Sequence, residues 1–267
     1  MTTTTAYTDR GSGPVVLMVP GLATTAAYFA PAVEDLARDH RVVTVELPGH
    51  GRGAAPAPDA SVERAAETVA GVVDGLGLRE VTLLGWSAGA YACYRYLERP
   101  GAPVRGLVSV EQTPRLTLAD DWPHAAFGGL DEAGAKQLEH DIAADLPAFA
   151  DTLVRACFAA GAAPDEALVT ELLAQSCTCD PDAVRALFAD ASAQDWRSRV
   201  ARISVPTLLV HGARSQVYPT AVGGWLAGAV PGARLETFAD SGHLPFREEP
   251  TRFAASVRAF VRSLDHD

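Results

Sequence analysis

The chain has 267 residues, 48% of them hydrophobic, which suits one globular unit with a sizeable core and room for an insertion. A formal net charge of −11 argues against nucleic acid and anionic membrane surfaces as partners. No run of 18 apolar residues occurs, and the opening Met-Thr-Thr-Thr-Thr-Ala-Tyr has neither the basic nor the apolar segment of a secretory signal, so the expectation is a cytoplasmic protein without a membrane span.

Residues 3–8 are a candidate antiparallel edge strand. Val15–Val19 is an apolar run followed by Pro-Gly, and 27–38 read as a helix. Arg41–Glu46 is a second run, closed by Leu47-Pro-Gly-His-Gly-Arg-Gly53, and 61–76 read as a helix. Val81–Gly85 is a third run with a helix over 88–98, and Val104–Val110 a fourth. Thr207–His211 and Ala233–Phe238 are the last two, and 249–264 form a final amphipathic helix. Apolar runs of four to seven residues alternating with helices predict an α/β fold: a mostly parallel sheet with helices on both faces. Between about 113 and 200 the alternation stops and only helical patterns remain, at 131–145, 148–159, 164–175 and 181–189. The expected organisation is a core from 1–112 and 198–267 and an inserted helical cap from 113–197, acting as a mobile lid.

Gly85-Trp-Ser-Ala-Gly89 lies between a strand and a helix. A serine on so sharp a turn needs small neighbours, and the turn lifts Oγ from the carboxyl edge of the sheet toward the helix N-terminus. Ser87 is therefore the candidate nucleophile. His243 follows the last strand and precedes the last helix, which suits a catalytic base. His50, in the glycine-rich turn, reads as structural or pocket-lining. His40, His124, His140, His211 and His266 carry no supporting pattern. Cys93, Cys157, Cys177 and Cys179 are too few for a disulfide scaffold. The single residue between the last two is not zinc spacing, so no metal site is expected.

With these motifs the chain resembles the α/β-hydrolase superfamily along essentially its whole length. Pro20-Gly-Leu resembles that family's oxyanion loop, Leu47–Gly53 its glycine-rich turn, and Ser241-Gly-His-Leu-Pro-Phe its histidine loop. The resemblance implies an oxyanion hole from the backbone N–H groups of Leu22 and Ala88. It also exposes a gap. Most members carry the triad carboxylate in a Gly-x-x-Asp loop after the strand preceding the histidine strand, and here that position is Ser215. No acid lies between 212 and 235.

Glu111, directly after the 104–110 strand and 24 residues beyond Ser87, can reach the same histidine from the neighbouring strand end. A few branches of the superfamily place the acid there, among them the lactonase that opens zearalenone, whose corresponding stretch Val110-Glu-Gln-Thr-Pro-Arg resembles, and the cofactor-independent quinolone dioxygenases. Glu111 is the expected acid. Asp240 is a weaker rival, and pairing with Arg115 is the alternative role for Glu111.

The resemblance implies a serine hydrolase of esters or lactones of small to medium organic molecules, with no cofactor. Trp86, Trp122, Phe127 and Tyr218 are candidates for an aromatic substrate lining, and each is equally plausible as core. The expected partner is a small-molecule substrate, and oligomeric state is left open. Two alternatives compete. In a cofactor-independent dioxygenase His243 would be the base, but that branch places His before the serine, where this chain has Trp86. A non-catalytic hydrolase-like binding protein would not need the complete Ser, His and acid set.

Overall fold

The computed structural model describes residues 6–51 and 54–265. The end of the predicted glycine-rich turn, the first residues of the predicted edge strand and His266 lie outside them. Among the described residues seven strands form one sheet: β1 (Tyr7–Arg10), β2 (Val15–Val19), β3 (Arg41–Val45), β4 (Val81–Trp86), β5 (Val104–Val110), β6 (Thr207–Gly212) and β7 (Arg234–Phe238), in the order β1-β3-β2-β4-β5-β6-β7. Only the β1–β3 pair is antiparallel; every other neighbour is parallel. β4 is buried at all six positions, including Thr82. That is why the central strands read as unbroken apolar runs instead of alternating: both faces are covered.

The covering helices are α1 (Ala30–Leu36), α2 (Val62–Gly75), α3 (Ala88–Leu97), then, after the insertion, α8 (Ala221–Ala229), α9 (Pro245–Glu248) and α10 (Pro250–Ser263). In α2 the buried Val62, Ala65, Ala66, Val69, Val72 and Val73 fall on one stripe, and the Ser61 hydroxyl accepts from the Arg64 amide to cap the first turn. α1 packs beside α10, and α2 beside α3.

Between β5 and β6 the described residues hold a 3₁₀ turn (Ala126–Gly128), four helices, α4 (Glu132–Ala144), α5 (Leu146–Ala156), α6 (Glu166–Ser176) and α7 (Pro181–Ala193), and a short 3₁₀ segment (Val200–Arg202) just before β6; the only β pairing is a single bridge from Ala119 to Trp122. Each helix opens on an aspartate, Asp131, Asp145, Asp165 or Asp180, whose carboxylate accepts a first-turn amide.

This segment is tied to the loops and helices around the sheet at several points. The His243 amide donates to the Cys157 carbonyl (2.7 Å), the Ala159 amide to Glu248 Oε1 (2.7 Å) and the Ala160 amide to the Arg214 carbonyl (2.8 Å). On the far side the Asp180 amide donates to the Gly49 carbonyl (2.8 Å), and Asp190 accepts from the Val62 amide (2.8 Å). The stretch from Leu118 to Asp131, before α4, has one such tie, the Phe127 amide on the Val217 carbonyl (2.8 Å), and includes Gly128 and Gly129, both at positive φ with open space around them. With the exposed Leu118 and Phe127 beside them, these glycines mark where local opening of the insertion is expected to begin.

Candidate active site

Ser87 joins β4 to α3 with φ 51° and ψ −129°, a conformation that L residues rarely adopt. The flanking glycines are required by close approach. A Cβ on Gly85 would lie 2.5 Å from Ala90 Cα, and one on Gly89 would lie 2.3 Å from the Val19 carbonyl oxygen. The turn is braced from β5: the Ser87 amide donates to the Val110 carbonyl (3.0 Å), and Gln112 Nε2 donates to the Ser87 carbonyl (2.6 Å). Ala88 is the first residue of α3, so its N–H has no carbonyl one turn back to accept it. Leu22 and Ala88 both line the cavity that holds Ser87.

Glu111 leaves β5 at φ 43°, with its amide on the Val210 carbonyl (2.8 Å) and its side chain fully buried. Oε2 lies 2.8 Å from His243 Nδ1 and accepts from the Ser215 hydroxyl at 2.7 Å. Oε1 accepts from the Gly212 amide at 2.8 Å and faces His211 Nδ1 at 3.4 Å. Burial alone would raise the carboxyl pKa, but hydrogen bonding to His211 and His243, and their charge, outweigh it and bring it down to about 2. Glu111 is an anion with four polar neighbours, not a partner of Arg115, which pairs with Asp195. Asp240, the rival, is exposed at the surface.

With Nδ1 engaged by a carboxylate, Nδ1 carries the proton of neutral His243 and Nε2 keeps its lone pair. The ring sits edge-on to Tyr218 (centroids 5.2 Å apart) and 5.5 Å from Trp86, whose Nε1 donates to the His243 carbonyl at 2.8 Å. Ser87 and His243 line one cavity of about 50 Å³, walled mainly by apolar side chains including Leu116, Leu153, Phe188 and Val217. An open groove of about 540 Å³ between the 3₁₀ turn, α4 and α5 adjoins it and shares Phe127 and Leu153 as walls.

Of the four aromatic candidates, Trp86, Phe127 and Tyr218 line the cavity, Tyr218 beside Ser87. Trp122 does not. It is 1% exposed, meets Trp225 edge-on at 5.1 Å, and gives its Nε1 proton to the Arg115 carbonyl at 3.1 Å, so it packs the base of the insertion. Ser215 is more than the site of a missing acid, because its hydroxyl holds Glu111 while accepting the amides of Val217 and Tyr218, each at 3.3 Å. His211, Gln112 and His50 also act on the site. Position alone could have suggested His211, one residue before the glycine that ends β6, and Gln112, next to Glu111.

The family described as alpha/beta hydrolase fold matches residues 14–250. The chain belongs to the α/β-hydrolase family. It is 31% identical over 258 residues to a pimeloyl-[acyl-carrier protein] methyl ester esterase of Chromobacterium violaceum, covering 96% of both chains. It is 28% identical to the esterase of the same name from Nitrosomonas europaea, over 93% of this chain and 96% of that one. Among solved structures, an esterase from Exiguobacterium antarcticum superposes with a TM-score of 0.90 at 26% identity, over 97% of this chain and 95% of that one. These relatives place this α/β hydrolase among carboxylic ester hydrolases.

Proposed function

We propose that this α/β hydrolase cleaves esters or lactones of small to medium, largely apolar molecules through an acyl-enzyme on Ser87. The observation that carries the reading is the 2.8 Å contact of Glu111 with His243 at the cavity that holds Ser87. Nδ1 of His243 donates to Glu111, which leaves Nε2 free to act as the base for Ser87 in the cavity that both residues line. It removes the hydroxyl proton as Oγ adds to the carbonyl carbon. The Leu22 and Ala88 amides receive the developing oxyanion, and Glu111 stabilises the imidazolium. His243 then returns the proton to the departing alkoxide oxygen. Water, deprotonated by the same Nε2, adds to the acyl-enzyme, and collapse releases the acid and restores Ser87.

Residues 113–197 serve as the cap of this site, and the substrate is the one partner the reading requires. The walls shared by cavity and groove support placing the larger apolar part of the substrate beyond Phe127 and Leu153. The test is a fluorophosphonate label read by intact mass, followed by an ester and lactone panel. One adduct is expected on the wild type and none on Ser87→Ala, which keeps its fold and loses hydrolysis by several orders of magnitude. Near-native turnover in Ser87→Ala would refute the serine mechanism.

A further inference from the structure

We propose that His50 is a positioning residue that locks the oxyanion loop, a role that rests on reading the site as an acyl-transfer centre. His50 lies in the turn after β3, 1% exposed, outside the cavity wall. Its Nδ1 is 2.9 Å from the Pro48 carbonyl. A carbonyl only accepts, so Nδ1 carries a proton. Its Nε2 then has a free lone pair and accepts from the Ala23 amide at 3.1 Å. Burial lowers the imidazole pKa to about 4, against the opposing pull of the Pro48 hydrogen bond and Asp180, which keeps the ring neutral and Nε2 an acceptor at neutral pH.

Ala23 needs such a hold. It sits at φ 53°, which a residue with a Cβ leaves unless something fixes it. Thr24 closes the same turn by donating its hydroxyl to the Gly21 carbonyl at 2.8 Å. Gly21 is so close to the nucleophile that a Cβ there would stand 3.1 Å from Ser87 Cβ. Leu22 lies between Gly21 and Ala23. The Leu22 N–H shares its peptide with the Gly21 carbonyl that Thr24 holds, and capture of the Ala23 amide fixes the next peptide, so the two contacts together keep the Leu22 N–H aimed. Without the imidazole acceptor, Ala23 relaxes toward negative φ and that N–H swings off the oxyanion position.

Two substitutions separate this role from plain packing. His50→Gln offers an amide oxygen at about the reach of Nε2, whereas His50→Asn is too short to meet the Ala23 amide. His50→Leu removes the acceptor. Loss of a whole oxyanion donor costs about 10²–10³ in kcat, so a misplaced one is expected to cost about 10–100-fold. The readouts are kcat and KM on one ester accepted by the wild type, and the inhibition constant of a trifluoromethyl ketone, which adds to Ser87 and forms the same oxyanion. His50→Leu and His50→Asn are expected to lower kcat by that factor with KM within about threefold, and to weaken the ketone in step. His50→Gln is expected to recover most of both. If His50→Leu fails to fold, the Gln and Asn pair carries the test. Equal kcat in those two, or a kcat loss with unchanged ketone affinity, overturns the proposal. A wild type that turns over no ester and takes no fluorophosphonate overturns the hydrolase reading itself, and this inference falls with it.

Discussion

Replacing Glu111 with glutamine tests where the acid resides, because every group around the carboxylate is accounted for. Oε1 accepts from the Gly212 amide and faces His211 Nδ1, and Oε2 accepts from Ser215 and His243 Nδ1. Glutamine must put its NH₂ on one side or the other. Toward Gly212 it sets donor against donor at 2.8 Å, and a buried clash of that kind costs about 1–3 kcal/mol. Toward His243 it forces the imidazole to accept at Nδ1, which moves the ring proton to Nε2 and removes the lone pair that Ser87 needs. The second arrangement keeps the packing and ruins the tautomer, the situation that costs about 10⁴-fold in the Ser-His-Asp template. We therefore expect Glu111→Gln to lose about 10³–10⁴-fold in kcat, about 4–5.5 kcal/mol of barrier. Ser215→Ala keeps the charge but loses a charge-assisted hydrogen bond, and is expected to cost about tenfold. Glu111→Gln with Ser215→Asp returns a carboxylate to the neighbouring strand end and is expected to recover part of the rate. Single-turnover kinetics on an ester of the wild type, with melting curves as a fold control, would decide it. Glu111→Gln within tenfold of wild type would refute the assignment.

Three further expectations follow from the packing. Glu46, half-buried and accepting from the Ala26 amide at 3.0 Å, is raised by burial from 4.5 to about 7. The folded state thus holds its proton more tightly than the unfolded chain, and this contribution is full below pH 4.5 and lost as pH rises through 7. Glu46→Gln should match wild-type stability near pH 4 and exceed it at pH 8, and a melting-temperature difference independent of pH would contradict this. Trp122→Ala should lose about 3–5 kcal/mol in urea melts, while Trp122→Phe keeps kcat/KM within a few-fold; a large catalytic loss in the stable variant would return Trp122 to the substrate wall. Limited proteolysis should cut between Leu118 and Asp131 well before Cys157–Ala160, and the reverse order would mean that the backbone ties to β6 and the histidine loop do not hold.

The sheet was legible because buried parallel strands are continuous apolar runs, as at Val15–Val19 and Val81–Trp86. α8 was not, since Ala-Val-Gly-Gly-Trp-Leu-Ala-Gly-Ala has three glycines and no polar face to set a period. Ser87, Glu111 and His243 were readable from strand ends, where backbone topology fixes which residues converge. The supports of Glu111 were not, because the Ser215 hydroxyl and the His211 ring act through contacts across about 100 residues of sequence. Trp122 and Trp86 looked alike in sequence, and only packing separates an aromatic that faces a cavity from one that braces a loop.

The position of Glu111 directly after β5 also decides which residues of the candidate site share a support. Trp86 and Val110 are registered partners on adjacent strands, and Ser87 and Glu111 are the next residue along each. Ser87 and Glu111 thus stand side by side at the carboxyl ends of adjacent central strands, with α3 and β5 between them in the chain. Only His243 comes from elsewhere, on the loop beyond the exposed edge strand β7. The imidazole is thus the one group of the three whose backbone is held by the insertion, through the Cys157 carbonyl that takes its amide.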